Sequence, residues 1–132
     1  DPDADEENNI TAMTDAMQDV VTIQITYAAR NSDFDGHAIN QGDYLALYEA
    51  EGLEIQKRIL GRMVGYYRSE GGILNQIVHM WAYEDMNERE QRRSQLMADP
   101  DWLSYVARMM PLLQSQESRI LIPAAFFTPQ WQ

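Results

Sequence analysis

The chain of 132 residues contains no cysteine. Disulfides, thiolate zinc sites, iron–sulfur clusters and cysteine nucleophiles are therefore excluded. No apolar run approaches the roughly 18–20 residues of a membrane-spanning helix. The sequence also lacks a glycine-rich phosphate loop and a Gly-x-Ser-x-Gly turn, so neither P-loop nucleotide chemistry nor serine-hydrolase chemistry has support in it.

Basic residues are scarce. Ten Lys and Arg residues stand against 21 Asp and Glu residues, which gives a formal net charge of −11. Nucleic acids and anionic membrane surfaces both need a basic footprint on their partners. We therefore expect neither a nucleic acid nor a membrane as a partner, and solubility is the simplest reason for the excess of acids.

The N-terminal segment is polar and acidic. Asp1–Asn9 holds no large apolar group until Ile10, a composition typical of disorder. We expect residues 1–19 to form a flexible tail and residues 20–132 to form one domain. The chain begins without methionine, so residue 1 follows either a removed leader or an arbitrary boundary. The cytoplasm is the favoured location, with a processed leader as the alternative.

The order of periodic segments indicates an α+β protein. Strict alternation predicts a first strand at Val20–Tyr27, with Val21, Ile23, Ile25 and Tyr27 on one face. Helical spacing predicts a helix over residues 43–60 that Gly61 ends, with an apolar stripe at Leu45, Tyr48, Gly52, Ile55 and Ile59. Further strands are predicted over residues 62–70, 75–83 and 118–122, and helices over 85–98 and from Pro100 to Pro111.

This βαββαβ order predicts a ferredoxin-like protomer, a four-stranded antiparallel sheet with two helices on one face. The first and third strands are expected to be central, parallel neighbours. Both faces of the third strand carry apolar side chains, so the face without helices needs a cover. A second copy of the same sheet supplies one, and we therefore predict a homodimer.

Several linked segments resemble the NIPSNAP family: Tyr44–Arg58 (YLALYEAEGLEIQKR), Gly65-Tyr66-Tyr67, Leu74–Tyr83 (LNQIVHMWAY), Arg92-Arg93, Asp99–Tyr105 (DPDWLSY) and Pro111–Leu121. The resemblance spans roughly residues 44–129. It implies a dimeric α+β barrel, in which the sheets of two subunits face each other. The family is similar in architecture to the antibiotic-biosynthesis monooxygenases and the small polyketide cyclases.

One segment departs from the family pattern. A long polar loop, residues 28–41, replaces the short turn that usually follows the first strand. We expect this loop near Tyr27, Tyr83 and Asp85, where long loops often shape pockets. Its Asp33, Asp35 and His37 could hold a divalent ion, but a solvated acidic loop is the favoured interpretation, and no metal site is predicted.

His79 is the leading catalytic candidate, because a histidine titrates near neutral pH and can act as a general acid or base. The alternative is a buried, structural histidine. Tyr83 shares its strand face and is the second catalytic candidate. The candidate binding residues are aromatic walls and polar groups, namely Tyr27, Tyr66, Asn75, Gln76, Trp81 and Arg119. Core packing, turn closure and ion pairing are their structural alternatives. Arg89, Arg92 and Arg93 are expected to be solvent-exposed.

The favoured hypothesis is a homodimer that binds a small organic molecule in an aromatic-lined cavity. It includes cofactor-independent acid–base catalysis of the cyclase, isomerase or lyase type, in which His79 transfers the proton and Tyr83 or Tyr27 orients the substrate oxygen. The first alternative is a noncatalytic interaction protein. A weaker alternative is monooxygenase or heme chemistry, which needs His79 or His37 as an iron ligand. No cofactor is predicted.

Overall fold

The computed structural model of the protein describes residues 20–27 and 40–132. Its elements are, in chain order, β1 (Val20–Tyr27), α1 (Gln41–Leu47), a π-helical turn (Tyr48–Gly52), α2 (Leu53–Leu60), β2 (Arg62–Arg68), β3 (Gln76–Tyr83), α3 (Met86–Ala98), α4 (Pro100–Met109) and β4 (Ser115–Leu121). None of the helices in these two ranges is long and apolar enough to cross a membrane.

Local signals set the helix ends. Asn40 caps α1, and the Asp43 carboxylate accepts from the Asn40 backbone N–H at 3.0 Å, which completes a capping box. Asp43, the predicted start, is therefore the third residue of the helix. Asp85 and Asp99 cap α3 and α4 through their side chains. Gly61 ends α2 with a φ of 90°, which glycine adopts most readily.

The strands form one sheet in the order β2-β3-β1-β4, and every neighbouring pair is antiparallel. This is the predicted ferredoxin-like arrangement. The expectation that β1 and β3 run parallel is wrong, because Val20 lies opposite Tyr83 and Tyr27 lies opposite Gln76. The helical crossover returns β2 parallel to β1, and the turn after β2 then reverses β3.

This direction corrects a second expectation. Tyr27 and Tyr83 lie at opposite ends of the sheet, so the chain leaves β1 beside the start of β3 and far from Asp85. The loop residues 28–39, with the metal hypothesis for Asp33, Asp35 and His37, lie outside the described residues. The same is true of the tail predicted for residues 1–19.

The first helical segment, which comprises α1, the π-helical turn and α2, buries Tyr48 and Gly52 as predicted and differs from the predicted stripe by one residue at its other three positions. Its buried residues recur at steps of four: Tyr44, Tyr48, Gly52, Gln56 and Leu60. Steps of four drift by about 40° each in a regular α-helix. The π-helical turn in the middle of the segment offsets this drift, so the stripe stays turned to the core, while Leu45, Ile55 and Ile59 are half-buried beside it.

Gly52 is the contact point between this stripe and α4. A Cβ atom at Gly52 would lie 2.8 Å from Cζ of Tyr105 and 3.0 Å from Cδ2 of Tyr48, closer than carbon atoms pack. We expect Gly52→Ala to lower the free energy of unfolding by about 1–3 kcal/mol, as overpacked cores do. Urea denaturation measures this change. Gly71→Ala is the control, since a Cβ at Gly71 meets no atom within 4 Å, and equal losses in both variants would contradict the packing.

The sheet face without helices is called the open face here and is lined by Val21, Ile23, Ile25, Val78 and Met80. The C-terminal segment leaves β4 at one edge of the sheet and reaches β2 at the other edge. The Gln132 backbone N–H donates to the Met63 carbonyl at 3.2 Å, and the Arg62 guanidinium lies 5.3 Å from the Trp131 ring centroid. An apolar depression of about 460 Å³ remains between Met80, Tyr67 and Phe127, with Tyr67 58% exposed.

Candidate functional site

Buried side chains of β3 face the helix layer. Ile77, His79, Trp81 and Tyr83 alternate along the strand, and each is at most 2% exposed. On β1, Thr22 lies opposite Trp81 and Gln24 lies opposite His79. Residues opposite each other in an antiparallel pair share a face. His79 therefore lies on the helix side of the sheet, a question that strand alternation alone leaves open.

The polar and apolar faces of β1 are exchanged relative to those of a sheet that has one face in water. Its threonine and glutamine side chains point under the helices, whereas Val21, Ile23 and Ile25 point to the open face. A one-sided sheet normally buries its apolar face against the helices. The polar side chains of β1 therefore lie beneath α3 and α4, where they line a cavity.

This helix-side cavity has a volume of about 300 Å³ and is partly enclosed. Its polar side chains come from both central strands, β4, the first helical segment and α3: Thr22, Gln24, Tyr44, Gln56, His79, Tyr83, Arg89, Arg93, Gln116 and Ser118. Its apolar wall is formed by Leu60, Trp81, Leu96, Met97, Trp102, Val106, Met109 and Met110. Small-molecule sites combine such apolar walls with a few convergent polar groups.

His79 is held in one protonation state by its neighbours. The Trp81 Nε1–H donates to His79 Nδ1 at 2.8 Å, so the proton of the neutral ring lies on Nε2. Burial lowers the pKa of His79 to about 4. The imidazole is therefore neutral at pH 7, and it offers a hydrogen-bond donor rather than the acid of an imidazolium.

A stack of tyrosines lies behind His79. The Tyr66 ring stacks on the imidazole with centroids 4.9 Å apart, and Tyr48 stacks on Tyr66 at 4.6 Å. The Tyr48 hydroxyl donates to Gln56 Oε1 at 2.7 Å. Burial raises the pKa of Tyr48 and of Tyr66. These phenols stay protonated at neutral pH and give the imidazole a rigid, uncharged backing.

Two arginines of α3 border the cavity. Arg89 and Arg93 are four residues apart, which is one helical turn, and both line it beside Tyr83. Burial, and next the charge of Arg93, lower the pKa of Arg89. The expectation of a solvent-exposed basic face is therefore wrong for Arg89 and Arg92, which are half-buried, and holds for Arg93.

The structure brings together only part of the predicted set. Trp81 and Tyr83 line the cavity with His79, and Tyr66 contacts His79 from behind. Burial raises the pKa of Tyr83. These positions fit the predicted aromatic wall, and the roles of these residues remain predictions.

The other predicted residues lie elsewhere. Tyr27, Gln76 and Arg119 belong to the open face, because they alternate out of register with Gln24, Ile77 and Ser118. Gln76 Nε2 donates to the Tyr27 hydroxyl at 3.3 Å. The hypothesis that Tyr27 orients a substrate beside His79 is incompatible with this geometry, since it needed β1 and β3 to be parallel.

Asn75 has the turn role given as its alternative. It adopts a φ of 59°, a left-handed conformation that asparagine tolerates better than most residues. Its Oδ1 accepts from the Gln41 backbone N–H at 3.2 Å, which ties the turn before β3 to the start of α1. Asn75 is not among the cavity-lining residues.

Sequence reasoning missed the polar residues contributed by β1, β4 and the helices, chiefly Gln24, Gln56, Arg89, Arg93 and Ser118. The i, i+4 spacing of Arg89 and Arg93 was a visible signal for two cations on one helix face. Over the two described ranges, no group of three or more His, Asp or Glu side chains is arranged to hold a metal ion.

The comparisons agree with this architecture. The NIPSNAP family model matches residues 34–128. A NipSnap homolog from Dictyostelium discoideum is 35% identical over 68 residues, an alignment that covers 52% of this chain and 30% of that protein. The chain spans less than a third of the length of the curated relatives it matches.

Solved structures cover far more of the chain. An uncharacterised NIPSNAP-like domain protein from Burkholderia xenovorans is 37% identical, with a TM-score of 0.73 over 88% of this chain and 97% of that one. A family protein of unknown function from Agrobacterium tumefaciens is 38% identical, with a TM-score of 0.72 over 86% and 96%. An antibiotic biosynthesis monooxygenase-like protein from Chloroflexus aurantiacus shares the fold alone, at 12% identity and a TM-score of 0.51 over 84% and 98%.

Proposed function

Because the chain belongs to the NIPSNAP family, some of whose solved members have no known function, we propose a role from the site itself. The protein binds a small organic molecule in the helix-side cavity. The observation that carries this proposal is the reversed polarity of β1. Thr22 and Gln24 face a cavity of about 300 Å³ under the helices instead of facing water.

The cavity has a volume at the lower end of small-molecule sites. The indole rings of Trp81 and Trp102 contribute flat apolar surface. His79 and Gln24, which are paired neighbours on β3 and β1, contribute hydrogen-bonding groups. A planar molecule with a carbonyl group fits this combination. A structural role for His79 would account for its bond to Trp81, yet it would leave the polar lining from β1 and β4 without a purpose.

His79 acts in this proposal as a neutral donor. Its Nδ1 is occupied by the Trp81 indole, so its Nε2–H is the group left for a carbonyl oxygen. Such a bond stabilises negative charge that develops on that oxygen, as in enolisation. Tyr83, also protonated at neutral pH, lies four residues further along β3 on the same face and supplies a hydroxyl group as a second donor. In this proposal, acid–base chemistry relies on His79 and Tyr83 as neutral hydrogen-bond donors.

The protomer pairs with a second copy through the open face. Aliphatic side chains of both central strands meet there, with Ile23 opposite Met80 and Ile25 opposite Val78. The C-terminal segment passes over part of this face between β4 and β2, and Tyr67 and Leu121 remain exposed. A second sheet buries these groups and keeps the helix-side cavity of each protomer separate from the interface.

Blocking the cavity tests the binding role. We expect 4-nitrobenzamide, a neutral planar amide, to bind the wild-type protein saturably in isothermal calorimetry. Ser118 lies on exposed β4 and lines the cavity opposite Gln24, so Ser118→Phe fills the cavity without disturbing the core. We expect Ser118→Phe to weaken binding by about tenfold or more, since a 1.4 kcal/mol loss suffices for that factor.

Ser94→Phe is the matched control, because Ser94 is exposed on α3 and does not line the cavity. It should bind 4-nitrobenzamide as the wild type does. If neither this amide, nor the matching carboxylate 4-nitrobenzoate, nor a panel of aromatic carbonyl compounds binds the wild type, the binding role is wrong. Equal affinities of wild type and Ser118→Phe would show that the probe binds elsewhere.

A further inference from the structure

Arg89 and Arg93 differ from the neighbouring arginines in their partners. Glu88 accepts from Arg62 Nη1 at 2.7 Å and from Arg92 Nε at 3.2 Å, so one carboxylate serves two arginines across α3 and β2. In the part of the chain that the structure describes, no carboxylate lies within ion-pair distance of Arg89 or Arg93. These two cations are directed to the cavity, while the paired arginines lie on the other side of α3.

The Arg89 guanidinium has one unsatisfied hydrogen-bond donor. Its Nε atom is buried and has no hydrogen-bond partner. A buried, unsatisfied donor on a charged group is costly, and such groups in native proteins call for an explanation. A second like charge one helical turn away adds repulsion. The two described ranges hold 12 Asp and Glu residues, so within them a shortage of acids does not explain two cations without a carboxylate.

The rest of the cavity limits the anion. Part of the same cavity wall is apolar and aromatic, with Trp81, Trp102 and Met109. A bare inorganic anion would leave this wall unused, whereas a molecule with a charged end and an apolar body would contact both. The guanidinium fork matches the two oxygens of a carboxylate.

We propose that Arg89 and Arg93 bind the carboxylate of the cavity ligand, which makes that ligand a small, planar organic acid. Its carboxylate lies against the two guanidinium groups and satisfies Arg89 Nε. Its apolar body lies along the two indoles, and its far end reaches His79 and Gln24. This inference rests on the proposed binding role and adds the chemical class of the ligand.

A pair of probes that differ in charge alone tests the inference. 4-Nitrobenzoate and 4-nitrobenzamide have nearly the same shape, but only the benzoate is an anion at pH 7. We expect the wild type to bind the benzoate about tenfold or more tightly than the amide, as charge-assisted bidentate bonds imply. Arg89→Gln and Arg93→Gln should each lose most of this preference.

Arg68→Gln is the control variant, because Arg68 pairs with Glu70 on the surface at 3.0 Å, away from the cavity. It should retain the full preference, and Arg89→Lys should retain part of it. Circular dichroism shows that the variants are folded.

The results separate this inference from the proposed function. Equal affinity of the wild type for both probes, or an unchanged preference in both glutamine variants, overturns the inference while the binding role stands. Inorganic phosphate that competes as strongly as benzoate also overturns it, since the site would then hold a simple anion. Failure of both probes to bind the wild type contradicts the binding role itself.

Discussion

Replacing His79 with glutamine should remove a large part of the acid sensitivity of the fold. The pKa of His79 is about 4 in the folded protein and near 6.5 in the unfolded chain. The unfolded state therefore takes up the proton first. The stability contributed by the neutral, buried ring is complete above pH 6.5 and is lost as the pH falls through about 4.

The size of this effect follows from the two pKa values. Between pH 6.5 and 4, protonation of His79 should lower the free energy of unfolding by about 3 kcal/mol. His79→Gln also loses its bond with Trp81, so it is less stable at pH 7, but its stability should fall less steeply over this pH range. Urea denaturation at several pH values gives both slopes.

The difference between the two slopes isolates His79 from the many carboxylates that titrate in the same range. The NMR signal of the His79 ring provides a second readout and should not titrate until the pH nears 4. A ring that titrates near 6.5, together with parallel stability profiles in the two proteins, would contradict the buried, neutral imidazole.

A glutamate at Met80 should dissociate the proposed homodimer. Met80 lies on central strand β3 in the middle of the open face, opposite Ile23. Burying an unpaired charge costs roughly 3–5 kcal/mol, and two-fold symmetry introduces one in each protomer. Two such costs exceed the roughly 4 kcal/mol of a thousandfold change, so we expect Met80→Glu to raise the dimer dissociation constant at least about a thousandfold.

Analytical ultracentrifugation measures this change. The wild type should sediment at twice the 15.3 kDa mass of one chain, and Met80→Glu at the mass of one chain. Leu103→Glu is the matched control, since Leu103 is exposed on α4 and belongs neither to the open face nor to the cavity. A wild-type protein that sediments as a folded 15.3 kDa monomer at micromolar concentration would contradict the homodimer.

Local signals predicted most elements of this fold. The bounds of β1 are those that alternation indicates, and Asp99 before Pro100 marks the break between two helices. The direction of β3 relative to β1 could also be predicted from the sequence, since it follows from counting each reversal of the chain. The π-helical turn was not accessible, because steps of four at Tyr44, Tyr48 and Gly52 are also compatible with a regular helix.

The site was harder to predict, because the sequence does not show which face of a strand packs under the helices. The aliphatic side of β1 is the obvious choice for packing under the helices, yet the structure turns Thr22 and Gln24 there. That choice depends on what covers the second face and on where α3 crosses the sheet. The placement of Arg89 follows from the same crossing, so helical periodicity placed it on a basic face without showing what the face contacts.

The central claim is that the ligand lies on the helix side of the sheet, not between two sheets. Two methionines mark these places, since Met109 lines the helix-side cavity and Met80 lines the open face. Protein labelled with ¹³C at the methionine methyl groups and saturated with 4-nitrobenzamide reports proximity directly by intermolecular NOEs. We predict NOEs from the probe ring to the Met109 methyl and none to Met80, whereas NOEs to Met80 without any to Met109 would contradict the account.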